Sequence, residues 1–335
     1  MQINTMSHTA DYRDGYGNMY TTIVRKLMQR GVCVTPIALD TLKWPGWFQR
    51  AAGIDFSRLT IAMTPGYNIK GLPGQQWAYS MYEATRIPEA WADNFNRHTR
   101  LVIVPSQWCH DVFRESGVSV PIHVVLGGTD PDAFPVVTPQ GSGSRPYTFM
   151  ALGDRGARKG WDFVWQAFYQ EFRGGEDVRL IVKSRAYSLD NLKDTSMADP
   201  RVSLWREDTA TLFDAFIHAD CFVYPSRAEG WGMPPREAAM MGLPVIATRY
   251  SGLTHGIDEW AARIVETYTE REATIDGGGL WAISDVDEVA AHMRWCYENR
   301  EEARNRGRQA AAWLRENQTY EQTIDGLMEL LETWL

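Results

Sequence analysis

Two glutamates with seven residues between them, Glu229 and Glu237, sit in the stretch PSRAEGWGMPPREAAMMGLPVIAT of residues 225–248. An apolar run, CFVYPS, leads into a loop containing Gly230, Trp231 and Gly232, and then into Met233 and two prolines. Pro234 and Pro235 suit the first turn of a helix, where a missing N–H costs little. Gly242 and Pro244 end that helix before the next apolar run. A strand, loop and helix in this order aim backbone N–H groups and a helix N-terminus at one point, which makes a seat for a diphosphate. Carboxylates on either side of it accept hydrogen bonds from sugar and ribose hydroxyls, so the chemistry indicated is that of a nucleotide-linked sugar.

A second segment carries positive charge. In LGDRGARKGWDFVWQAF, residues 152–168, a strand, a basic loop and a helix follow in order, with Arg158 and Lys159 at the turn. Cations there would meet two phosphates and the charge growing on a leaving diphosphate; a solvated basic loop is the plainer alternative. Lys183 ends the apolar run VRLIVK and reads either as a third phosphate ligand or as a snorkelling surface lysine. Glu83 follows an apolar run, where it reaches a reacting centre, caps a helix or pairs with Arg86. Gly15 and Gly17, in DGYG, form a glycine loop or an ordinary turn. Residues 42–50, LKWPGWFQR, interleave aromatic and basic side chains. They suit a lipid surface, a glycan or exposed bases, or the packing of a loop beneath its own domain. The seven histidines show no metal-ligand spacing and no Asp-x-Asp motif lies near the phosphate seat, so no metal and no cofactor is expected.

Set between PS and GLPVIAT, the Glu229/Glu237 pair resembles the signature of the retaining glycosyltransferases of family 4, a GT-B family. The resemblance implies that Glu229 lies against the transferred sugar and Glu237 binds the ribose. It also implies that Gly230, Trp231, Gly232 and Met233 bring backbone to the sugar and phosphates. Residues 152–160 are similar to the family's glycine, arginine, lysine-glycine pattern, with Lys159-Gly160 as its end. The family commonly has arginine directly after the first glycine, where this chain has Asp154, so the arginine's role is open between Arg155 and Arg158. By the same resemblance Gly15 and Gly17 approach the donor diphosphate from the opposite wall, and the N-terminal half matches more loosely through MYEATRIPEAW, RLVIVPSQWCHDVFRESGV and PIHVVLGGTDPDAF. The implied reaction moves a sugar from a nucleotide-sugar donor with retention of configuration, without metal, by front-face attack with a donor phosphate oxygen taking the acceptor proton. The acceptor stays open among a glycan, a lipid-linked glycan, a small molecule and a modified nucleic acid. Rival readings are a phage-type DNA base glycosyltransferase, a GT-B sugar-nucleotide epimerase or phosphorylase, and a non-catalytic nucleotide-sugar binder. A Rossmann dehydrogenase is the weakest, since no clear G-x-G-x-x-G follows a strand.

The elements that position these residues alternate between apolar runs and amphipathic stretches, the pattern of an α/β protein with parallel sheets. At 335 residues two cores are expected. These are two Rossmann-like doubly wound domains facing a central cleft, residues 1–140 on the acceptor side and 147–318 on the donor side. Between them lies a Pro/Gly/Ser linker at about 135–146, and a final helix over 319–335 follows, available to pack back on the first domain. Ligands of such sheets bind at the carboxyl ends of strands. A net charge of −8 argues against duplex nucleic acid as the dominant partner. The four cysteines are widely spaced, no run is long enough to span a bilayer, and the N-terminus reads as no secretory signal, so the expected location is cytoplasmic with room for peripheral membrane contact.

Overall fold

The computed structural model describes residues 1–11, 14–38, 54–137, 145–153, 156–184, 199–207, 209 and 211–335. Asp154, Arg155, the aromatic–basic stretch 42–50 and most of the expected linker lie outside the described residues.

The chain opens with β1 (Gln2–Ser7), α1 (Gly15–Gln29), β2 (Cys33–Ala38), β3 (Thr60–Met63) and β4 (Gln76–Tyr79), then α2 (Glu89–His98), β5 (Leu101–Val104), α3 (Gln107–Glu115) and β6 (Ile122–Val124). It continues with β7 (Tyr147–Leu152), α4 (Trp161–Glu171), β8 (Val178–Lys183), β9 (Val202–Trp205), α5 (Phe213–Phe216), β10 (Cys221–Tyr224), α6 (Met233–Met240), β11 (Val245–Thr248), α7 (Ile257–Trp260) and β12 (Arg263–Val265). Two further strands, β13 (Tyr268–Glu272) and β14 (Leu280–Ser284), pair with each other, and α8 (Val286–Glu298), α9 (Arg300–Asn317) and α10 (Tyr320–Trp334) complete it.

Two compact units result. The first comprises Met1–Gly128, Glu272–Leu280 and Tyr320–Leu335; the second comprises Thr129–Arg271 and Trp281–Thr319. Each holds one six-stranded sheet, ordered β2-β1-β3-β4-β5-β6 and β12-β11-β10-β7-β8-β9, and every pairing in both is parallel.

In the second unit alternate residues of each strand serve opposite faces, as the pleat requires. Met150, Leu152, Phe222, Tyr224, Val245 and Ala247 join α6 and α9 in one core, while Phe149, Ala151, Cys221, Val223 and Ile246 join α4 and α8 in another. Both faces are therefore covered, which is why these strands read as continuous apolar runs. In the first unit Ile3, Ile61, Trp77 and Leu101 pack against Tyr20, Ile23, Val24 and Leu27 of α1. The same core takes Tyr320, Ile324, Leu327 and Leu331, whose spacing puts them on one face of α10.

Helix α1 begins at Gly15, because the Asp14 carboxylate caps it by accepting from the N–H groups of Tyr16 and Gly17. Strand β4 ends at Tyr79: the Met81 N–H donates to the Tyr16 hydroxyl, so the chain has left the sheet by then.

Candidate functional site

The predicted residues converge in the second unit, at the carboxyl ends of β7 and β10. After β7 a single turn over Gly156–Lys159 presents Arg158 and Lys159, and Gly160 then starts α4 in the left-handed region at φ 73°. This turn is laced to the segment after β10. Arg227 N–H donates to the Arg158 carbonyl at 2.8 Å, and the Ser226 hydroxyl oxygen stands 3.1 Å from the same oxygen. The Arg227 guanidinium lies over the Phe163 ring, clasps Asp162 with two bonds of 2.8 and 2.7 Å and also reaches the Ala157 carbonyl. Gly160 is what permits the approach, since a Cβ there would stand 2.0 Å from the Pro225 carbonyl oxygen. Gly160→Ala is accordingly expected to lower stability by at least about 1–3 kcal/mol for the left-handed backbone alone, with the clash adding to it. An unchanged urea midpoint for this variant would show that the two segments are not held at this spacing.

Around Glu229 the chemistry is concentrated. Its Oε1 accepts from Arg158 Nη1 at 2.9 Å, Lys159 Nζ at 2.7 Å, the Tyr224 hydroxyl at 2.8 Å and the Ser226 hydroxyl at 2.8 Å. All three charged groups are at least nine-tenths buried. Burial alone would push the carboxyl upward. The nearby charges of Arg158 and Lys159, with hydrogen bonds from Lys159 and Ser226, outweigh it and hold the pKa at about 2. The backbone is fixed as well: Glu229 N–H donates to the Ser251 hydroxyl at 2.8 Å, and Gly252 N–H donates to the Glu229 carbonyl at 2.9 Å. Ser251 sits at φ 57°, alone among the described non-glycine residues in having positive φ.

Beyond Glu229 the loop through Gly230 and Trp231 reaches Gly232 at φ 85°, from which α6 starts with Met233, Pro234 and Pro235. Glu237, on that helix, is buried, and burial raises its carboxyl to about 8 against the opposing pull of Lys159. A neutral carboxylic acid at physiological pH therefore stands beside a cationic cluster, one turn into a helix whose N-terminus carries partial positive charge.

The remaining predicted residues fall elsewhere. Lys183 is buried at the end of β8, and its ammonium donates to the carbonyls of Ser184 and Glu207 at 3.0 and 2.9 Å. In the first unit, Gly15 and Gly17 form the opening turn of α1, where a Cβ on Gly17 would collide with the Asp11 carbonyl at 2.1 Å. Glu83 is half-buried in the segment after β4, where its charge helps raise the Tyr16, Tyr82 and Cys109 side chains, all chiefly raised by burial. Among the described residues no three His, Cys, Asp or Glu side chains converge as a metal ion would require, and no helix is long and apolar enough to cross a membrane.

Sequence reasoning did not single out Tyr224, Ser226, Ser251 or Arg227. Ser226 was visible in the PSRAEG string as a hydroxyl three residues before the glutamate. Ser251 carries no local signal, because only the folding of β11 beside β10 brings it 22 positions back to Glu229.

Comparison with known proteins places this geometry. Residues 106–327 match the family described as family 4 glycosyltransferase in conflict systems. The Escherichia coli serotype-specific mannosyltransferase WbdA is 30% identical over 105 residues, which cover 30% of this chain and 13% of that protein. A putative glycosyltransferase 45 of Sulfolobus islandicus filamentous virus is 25% identical over 70% of this chain and 66% of its own length. Among solved structures, sucrose-phosphate synthase from Thermosynechococcus elongatus superposes with a TM-score of 0.75 at 13% identity, covering 99% of each chain. Anabaena HepE, solved with UDP-glucose, superposes with a TM-score of 0.73 at 15% identity over 99% of this chain and 100% of its own. The two parallel six-stranded units are thus the two Rossmann-like domains of the GT-B fold. Since the family match takes in well over half of the 335 residues, the chain belongs to the family 4 glycosyltransferases of conflict systems and has the GT-B fold.

Proposed function

We propose that the protein transfers a sugar from a nucleoside diphosphate-sugar, held by its second unit, to an acceptor hydroxyl with retention of configuration and without a bound metal. The observation carrying this reading is the buried Arg158–Lys159–Glu229 cluster, two cations gathered on one carboxylate oxygen beside the loop that leads into α6. Two phosphates brought there would meet both cations, and the same cations would stabilise the nucleoside diphosphate as it leaves. HepE, whose fold this chain shares, is solved with UDP-glucose, which supports a donor of this class.

In the proposed step the bond between the anomeric carbon and the diphosphate oxygen breaks while the acceptor oxygen bonds to that carbon from the same face. The acceptor proton passes to a donor phosphate oxygen, and nucleoside diphosphate is released. Arg158 and Lys159 hold the phosphates, Glu229 orients both cations beside the sugar, and Glu237 meets the ribose hydroxyls.

Thermal unfolding with a panel of UDP-, GDP-, ADP-, CMP- and dTDP-sugars tests the donor. One nucleotide at a hundred times its Kd should stabilise the protein by about 2.7 kcal/mol, and Lys159→Ala should abolish that shift. Incubation with the responding donor and acceptor mixtures (glycans, lipid-linked glycans, single- and double-stranded DNA) then tests transfer. An inverted anomeric product, or turnover lost on chelation and restored by a divalent cation, would overturn the mechanism.

A further inference from the structure

Arg236 precedes Glu237 on α6 and is fully buried, one of the largest side chains in the protein with no solvent contact. Buried arginines ordinarily pair with a carboxylate, because an uncompensated charge is costly away from water. This one donates to neutral oxygens throughout. Nε reaches Gln318 Oε1 at 2.8 Å; Nη1 reaches the carbonyls of Trp231 and, at 3.2 Å, Gly232; Nη2 reaches those of Gly252 at 3.2 Å and His255 at 2.9 Å. The guanidinium carbon lies 3.9 Å from the Trp231 ring centroid and 4.8 Å from that of Trp260. Burial draws its pKa down to about 9, with Glu229 pulling the other way, so it is charged at neutral pH.

These contacts have a geometric consequence. In a trans peptide the C=O and the following N–H point in opposite directions. Carbonyls of Trp231 and Gly232 turned toward Arg236 therefore turn the N–H groups of Gly232 and Met233 away from it. Gly232 is the residue from which α6 starts, so its N–H lies outside the helix's own hydrogen bonding. The same fork ties that loop to the Gly252–His255 turn, which itself anchors the Glu229 backbone through Gly252.

We propose that Arg236 is a positioning residue for donor binding: its fork of neutral contacts sets the peptide plane between Trp231 and Gly232 so that the Gly232 amide faces the diphosphate. The inference rests on the donor reading above, and it names a role for a residue that need not touch the donor.

Two measurements on the whole 335-residue chain separate the inference from that reading. The first needs no ligand. Hydrogen–deuterium exchange in Arg236→Met should rise at least tenfold in peptides covering 229–235 and 251–256, with the strands of the first unit unchanged. The second uses titration calorimetry with UDP and UMP, and with the GDP/GMP, ADP/AMP and dTDP/dTMP pairs. For the base that wild type binds, Arg236→Met should weaken the diphosphate at least tenfold while the monophosphate changes by less than twofold. Arg236→Lys keeps the charge but lacks the fork and should restore only a minor part of the diphosphate affinity. Should Arg236→Met fail to fold, Gln318→Leu removes one arm of the fork and should move both readouts in the same directions by a smaller factor. Unchanged exchange, equal loss of mono- and diphosphate, or full recovery in Arg236→Lys would overturn the proposal. If wild type binds none of the nucleotides the donor reading fails, and exchange alone decides whether Arg236 holds the loop.

Discussion

Glu229→Ala should eliminate measurable transfer and, unlike most active-site truncations, should also destabilise the fold. Removing the carboxylate takes from the buried Arg158 and Lys159 the anion that both of them bond. Breaking a buried ion pair in this way costs about 3–5 kcal/mol. The displaced pKa gives an independent figure: a carboxyl moved from 4.5 to about 2 corresponds to about 3 kcal/mol of native-state stabilisation. A depressed carboxylate pKa gives stability that is present above the unfolded value and lost as pH falls. The difference in urea midpoint between wild type and Glu229→Ala should therefore be full at neutral pH and shrink as pH drops from about 4.5 towards 2. Lys159→Ala should lower kcat by about 10²–10³-fold, the usual scale for losing one group that stabilises transition-state charge. The double variant Glu229→Ala/Lys159→Met, with one fewer buried cation, should recover part of the stability and none of the activity. A fully active Glu229→Ala protein would remove Glu229 from the reacting centre; a Glu229→Ala protein as stable as wild type would show that the cluster is solvated.

Much of this site was legible because its parts are short-range. A glutamate three residues from a serine, two cations next to a glycine, and two prolines at a helix start each leave a local trace, and the structure brings Arg158, Lys159 and Glu229 together on one carboxylate oxygen. The apolar runs located most strands for a similar reason, since both faces of the second sheet are covered and its strands contain little polar alternation. What escaped was either long-range or polar. Ser251 meets Glu229 only through the sheet, and Arg236 looked like any charged residue on a surface helix until its five acceptors from three separate segments enclosed it. The strand Tyr268–Glu272 is exposed along its whole length, so it has no buried face to imprint a period on the sequence. Membership of Glu272–Leu280 in the first unit follows from packing there, through the Arg86 bond to the Gly277 carbonyl and the Leu280 N–H bond to the Thr85 hydroxyl, and nothing local announces it.

For Lys183 the sequence left two roles open, and its bonds to the Ser184 and Glu207 carbonyls suggest a brace between the ends of β8 and β9. A lysine so engaged differs physically from Lys159, whose partner is a carboxylate that an incoming phosphate can replace.

Glu237 should govern how the protein responds to alkaline pH. Its carboxyl is raised to about 8, so between the unfolded value of 4.5 and 8 the native state binds more protons than the unfolded chain. Stability must fall as pH rises through that window, by at most about 1.4 kcal/mol per pH unit from this one group. Glu237→Gln cannot titrate, and its stability curve should be flatter over the same range, with the variant gaining on wild type towards pH 8. The raised pKa also predicts a proton signature of binding. Ribose hydroxyls donating to Glu237 favour its ionised form, so a donor that binds at pH 7 should expel the proton the free protein holds. Calorimetry in buffers of different ionisation enthalpy should record that release in wild type and none in Glu237→Gln, whose affinity should be lower by about 1.5–3 kcal/mol, the range of a hydrogen bond to a charged group. Equal buffer dependence in the two proteins would mean that Glu237 stays neutral and contributes to the fold rather than to the ribose. A wild-type stability curve as flat as the variant's would mean that its carboxyl is hydrated in solution.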